Sequence, residues 1–152
     1  MSSAPATLAP LEQAIWRTVA YVDLFDYPLT AAEIHRYLEG VAATRTEVET
    51  LLAQGALLGD HLAQTGIYFH LLGREESVAI RRQREAHSQE LWSYARQYGR
   101  LFAQLPFVRM VAVTGSLAMN NVGDEADIDY FIVTENARLW LTDALVIPIV
   151  RW

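Results

Sequence analysis

TGSLAMNNVGDEADIDYFIVT, Thr114 to Thr134, sets a glycine–serine pair, a loop and two aspartates one residue apart between apolar runs. The preceding run, Phe107 to Val113 (FVRMVAV), is rich in β-branched residues and suits a buried strand. Ala126 to Val133 (ADIDYFIV) suits a second one. Side chains alternate along a strand, so Asp127 and Asp129 are expected on one face and Ile128 and Tyr130 on the other. Two carboxylates that close repel, and the arrangement calls for compensation.

A divalent cation supplies it. Mg²⁺ or Mn²⁺ takes oxygen ligands and keeps water and substrate phosphates in its remaining positions, so Asp127 and Asp129 make half of a hard-cation site. The Thr114-Gly115-Ser116 turn fits the phosphate side. Gly115 has no Cβ and lets a ligand approach the backbone, and Ser116 offers a hydroxyl and an N–H. Leu117 to Asn120 reads as a first helical turn with free N–H groups. Asn120 to Asp124 is loop chemistry.

At these residues the chain resembles the nucleotidyltransferase superfamily that includes DNA polymerase beta and the minimal nucleotidyltransferases. Its signature is an apolar strand, Gly-Ser, a short helix and loop, then Asp-x-Asp at the start of a strand. Gly115 stands twelve positions before Asp127, the spacing of the family's short form. The resemblance covers about Val108 to Thr134. It implies that Gly115 and Ser116 hold nucleotide phosphates and that Asp127 and Asp129 are the catalytic metal ligands. The implied reaction is Mg²⁺-dependent transfer of a nucleoside monophosphate from an NTP to an acceptor hydroxyl on a small molecule, a protein or RNA.

The chain departs from that pattern in three places. Ala126 replaces a frequent serine before the first aspartate. Asn120 and Asn121 stand where a small residue or arginine is common. Active members also add a third carboxylate from a later strand, and none is identifiable here. Glu135 to Trp152 reads as one apolar helix, bent at Pro148, with Asp143 mid-helix. Its apolar residues ask for a protein partner or a further C-terminal segment, so the expected nucleotidyltransferase core at 106–152 is a partial one with a small mixed sheet, in a fragment of a longer protein.

Upstream, residues 1–10 read as a disordered lead-in. Leu11, Ile15, Val19 and Val22, joined by Trp16 and Leu24, line one helical face, and Asp26-Tyr27-Pro28 ends that helix. Thr30 with Glu33 and Thr44 with Glu47 are capping boxes that open two further helices, the second stopped by Gly55. Ala56 to Leu58 and Ile67 to Leu71 read as a hairpin. Three helices and a hairpin over 11–73 resemble a winged-helix domain. Glu47 and Glu49 on its third helix argue against DNA, because carboxylates are repelled by phosphates.

From Arg74 to about Gln104 a long helix is expected. Arg74, Arg81, Arg82 and Arg84 mark its start, read as a solvated face pairing with Glu75, Glu76 and Glu85. The stripe of Leu91, Trp92, Ala95, Tyr98 and Phe102 reads as core or interface. The fold class is therefore α+β: a winged-helix-like domain, a linking helix over 74–105, and a truncated nucleotidyltransferase core. The alternative function is a winged-helix regulator or protein-interaction module with a non-catalytic nucleotide-binding domain.

Composition sets outer limits. The chain has 152 residues and no cysteine, which excludes disulfides and thiolate metal sites. Its net charge of −6, with arginine as the sole basic residue, also speaks against general nucleic-acid binding. His35, His61, His70 and His87 show no ligand spacing and are expected in surface or packing roles. Ala144 to Val150 is far shorter than the roughly 20 residues that cross a bilayer, and MSSAPATLAP lacks the pattern of a secretory leader. The reading is a soluble, cytoplasmic protein.

Overall fold

The computed structural model describes residues 8–55, 57–123 and 127–150. Most of the expected lead-in, Ala56 at the head of the expected hairpin, and Ala126 lie outside the described residues. The chain is mixed α+β, with six helices and two small antiparallel sheets among the described residues. It divides into two compact units, Met1–Arg82 and Gln83–Trp152.

The first unit runs α1 (Pro10–Asp23), β1 (Leu29–Thr30), α2 (Ala31–Tyr37), α3 (Arg45–Ala53), β2 (Leu62–Thr65) and β3 (Tyr68–Leu71). Both capping boxes form. Glu33 accepts from the Thr30 backbone N–H at 2.9 Å, and Glu47 from that of Thr44 at 2.7 Å. Each threonine hydroxyl in turn accepts from the N–H of its glutamate. Sheet order is β1-β3-β2, antiparallel throughout, so β3 is central and Tyr68, Phe69 and His70 are all buried. Ile15, Val19, Leu29, Ile34, Val48, Leu52 and Leu62 make the core beneath it. Of the expected α1 face, Leu24 turns out to solvent, because the helix has ended by then.

The hairpin falls later in the chain than the apolar runs suggest. β2 is Leu62–Thr65, joined to β3 by Gly66 and Ile67, with Gly66 at φ +65° in the first position of the turn. Leu57 is instead buried in the core, and Leu58 makes only an isolated bridge to Leu62. That apolar run packs a turn and does not build a ladder. His70 shows its packing role directly. Its Nδ1 donates to Leu71 O, which leaves Nε2 to accept from the Thr65 hydroxyl.

Of the arginines about the start of α4 (Glu76–Ala103), Arg82 is exposed and Arg74 meets Glu76 as expected, but Arg81 is not on a solvated face. Arg81 is buried, with its guanidinium forked onto Glu33 at 2.7 and 3.0 Å. It also donates to Pro28 O and lies 4.1 Å from the Tyr27 ring centroid and 4.8 Å from that of Tyr68. Arg74 meets Asp23, Asp26 and Glu76. These partners lie about 50 positions away in the chain, except Glu76, and helix-surface spacing could not reveal them.

The second unit holds the rest of α4, then β4 (Val108–Thr114), α5 (Gly115–Ala118), β5 (Asp129–Thr134) and α6 (Leu139–Val150). β4 and β5 form a two-stranded antiparallel sheet, where a small mixed sheet was expected. Ala95, Leu117 and Val122 are its buried cluster, with Leu91, Trp92, Val113 and Ile128 against them. Phe102 is buried edge-on to Tyr130 at 5.0 Å. The Tyr130 hydroxyl donates to Ala95 O, and burial pushes this phenol above its ordinary value. α6 carries Pro148 within it and buries Thr142, while Leu139, Trp140, Leu145 and Val150 are exposed. Among the described residues no helix is long and apolar enough to cross a membrane.

Glu33 gives the first unit a pH dependence. Burial raises its pKa, but hydrogen bonds from Arg81 and Thr30 and the Arg81 charge together hold it below 4.5. Its contribution is complete above pH 4.5 and is lost as pH falls through the lower folded-state value. Glu33→Gln is expected to cost about 2 kcal/mol at neutral pH and to flatten the acid limb of the stability curve. Chemical denaturation between pH 3 and 7 measures both effects.

Candidate functional site

β4 delivers the chain to the Gly-Ser turn, and β5 returns beside it. The ladder pairs Thr114 with Asp129, so the turn and the second aspartate meet at one end of the sheet. Gly115 adopts φ +67°, a left-handed conformation that favours glycine. A methyl group built on it would collide with Asp129 Oδ2 and sit 3.2 Å from Asp129 Cγ. The close approach expected here from a ligand is made by a carboxylate of the chain itself.

The second site strand starts later than the sequence suggests. Ladder pairing begins at Asp129, so Asp127 precedes β5 and is outside it. The alternation nonetheless extends back to it. Asp127 and Asp129 are exposed, while Ile128 and Tyr130 are half-buried, with Ile128 packed on the Leu117–Val122 cluster. Among the described residues neither carboxylate has a hydrogen-bond or ion-pair partner. The same residues contain no group of three or more His, Cys, Asp or Glu arranged to hold a metal. The donor set at this spot is two hard oxygen ligands open to solvent, which suits a cation that takes its other ligands from water and phosphate.

The loop between Gly115 and Asp127 is anchored in ways the sequence does not disclose. Ser116 O accepts from the N–H groups of Met119 (3.2 Å) and Asn121 (2.9 Å), folding the loop over α5. Asn120 sits at φ +53°, a region asparagine tolerates, and its Oδ1 accepts from the Trp92 indole at 2.7 Å. Asn121 Oδ1 accepts from Arg84 at 3.1 Å. Asn120 and Asn121 therefore fasten the loop to α4. Leu117 and Val122 pin it from below. Ser116 is half-buried and Asp143 is exposed on α6.

Comparison of the chain with protein-family profiles, curated proteins and solved structures finds no match.

Gly115→Ala tests the geometry without a ligand. The left-handed backbone costs a residue with a Cβ about 1–2 kcal/mol, and the collision with Asp129 adds to that. The expected outcome is a loss of at least about 1 kcal/mol on urea denaturation, partly relieved in Gly115→Ala/Asp129→Gly. Equal losses in the single and double variants would show that Asp129 does not crowd Gly115.

Proposed function

We propose that the second unit is a nucleotidyltransferase-type domain that transfers a nucleoside monophosphate from an NTP to an acceptor hydroxyl, with Mg²⁺ as cofactor. The observation that carries this reading is the placement of Asp129 directly over the Gly115 turn. A carboxylate adjoining the first turn of a helix, whose N–H groups lack intrahelical partners, would let one ligand meet a cation and phosphate donors together. Asp127 and Asp129 would hold the cation, and Gly115 and Ser116 would contact the phosphates. When bound, the cation neutralises the triphosphate and the departing pyrophosphate. The half-buried Ile128 and Tyr130 turn the backbone so that both carboxylates face outward, and the Trp92 and Arg84 bonds hold the phosphate loop.

The first unit supports a winged-helix reading. Three helices with the strand order β1-β3-β2, the last two strands forming a hairpin, follow that topology. Its third helix exposes Glu47 and engages Arg45 with Glu49 at 2.6 Å, so its outer face does not suit a phosphate backbone. In this reading the unit positions an acceptor or a protein partner.

Calorimetric titration of an NTP with Mg²⁺ tests the proposal. Binding is expected in the native chain and is expected to be abolished in Asp127→Ala and Asp129→Ala. Mg²⁺ or Mn²⁺ alone should raise the melting temperature by relieving a repulsion of roughly 1–4 kcal/mol between neighbouring carboxylates, an increment that Asp129→Asn removes. An unmoved melting curve together with absent NTP binding would refute the metal site; NTP binding without turnover, with or without a partner chain, would favour the non-catalytic alternative.

A further inference from the structure

The second unit has a groove of ≈ 360 Å³ between α4 and β4. Residues 108–111 of β4 all line it, together with Val113. The ladder is irregular between Val108 and Met110, but Met110 and Val111 beyond it point to opposite faces, so a groove touched by both reaches the backbone of the strand. Among the described residues β4 pairs only with β5, so its second edge is unpaired. Tyr130 of β5 closes one end of the groove, and the unpaired N–H and C=O groups of β4 border the rest. On the opposite wall Ala95, Gly99 and Ala103 follow one another at helical spacing and keep α4 low beside the strand.

The rim is basic. Arg96 and Arg100 are exposed on successive turns of α4 and have no carboxylate partner among the described residues. Arg96 Nε donates to Trp92 O, which steadies the side chain and leaves its outer N–H groups. Arg109, at the irregularity of the β4 ladder, is paired with Glu135 and adds less. Arginines four apart rise about 6 Å along a helix, and alternate residues of an extended strand are spaced about 7 Å apart. A strand laid on β4 would bring every second side chain into register with this arginine pair.

We infer that the outer edge of β4, flanked by Arg96 and Arg100, is a docking site for an extended acidic segment of a partner protein, which joins the sheet as a third strand. Backbone pairing holds the segment, the apolar floor takes its small side chains, and its carboxylates meet the two arginines. A nucleic-acid strand would engage the arginines but leave the strand edge unpaired, so the peptide is the better fit. The inference does not depend on the nucleotide reading, because Gly115, Ser116, Asp127 and Asp129 do not line the groove; Tyr130, which does, adjoins Asp129 but contacts no ligand in that reading.

The test uses the full chain and fluorescence anisotropy of a fluorescein-labelled peptide of alternating valine and glutamate. Binding is expected, weakening as ionic strength rises and falling at least about tenfold in Arg96→Ala/Arg100→Ala, whose circular dichroism should match the native chain. A peptide N-methylated at alternate amides is expected to lose binding to the unaltered protein, an arm that needs no variant. The inference is overturned if the native chain fails to bind at millimolar peptide, if the methylated peptide binds equally, if the double variant binds unchanged, or if a single-stranded oligonucleotide competes for the arginines more tightly than the peptide.

Discussion

Asp129 can lie over the turn at Gly115 only because no side chain stands there. One missing methyl group thus decides whether the two strands of the second unit close at this end with an acid against the turn. The ladder from Val108 to Thr114 sets the register that brings the two together, and a slip of one residue would carry Asp129 to the buried face. Leu117 and Val122 then determine where the loop lies, and Ile128 determines which way its neighbours point. A small apolar cluster so positions a polar site that contains few hydrogen bonds of its own.

The first unit is organised around a charge and not only around its apolar core. Arg81 is surrounded by two aromatic rings, a carbonyl and a carboxylate, and that carboxylate is already engaged in capping α2. The guanidinium suits this position because its planar fork meets both oxygens of Glu33 while its faces stack on the tyrosines. A single glutamate therefore couples a helix start to the tertiary packing of α4. The consequence is electrostatic cooperativity: removing either charge leaves the other buried without its counterpart.

Features whose cause lies within three or four residues were legible in the sequence. Thr30 with Glu33 and Thr44 with Glu47 announce their helices because a cap is a local bond, and the alternation of Asp127 to Tyr130 announces its faces because strand geometry is local too. The juxtaposition of turn and acid also followed from spacing and an apolar strand on each side. Strand limits were less legible. Leu57 and Leu58 carry the residue types of a strand but find a core position before any partner strand is available. The roles of Arg74, Arg81, Arg84 and Trp92 were not legible at all, since each depends on a partner brought in from far along the chain. Gly115 needs space beside its backbone, as its place after an apolar strand suggests, and the Asp129 carboxylate lies in that space.

The buried guanidinium also bears on how the chain can be taken apart. Gly73, at φ +74° in the turn before α4, looks like the natural seam, and a protease or a designer would choose it. Severing the chain there would strip the N-terminal module of Arg81 and Arg74, leaving Glu33, Asp23 and Asp26 without their counter-ions. The compact unit that keeps these pairs extends about two turns into the helix and ends after Arg82.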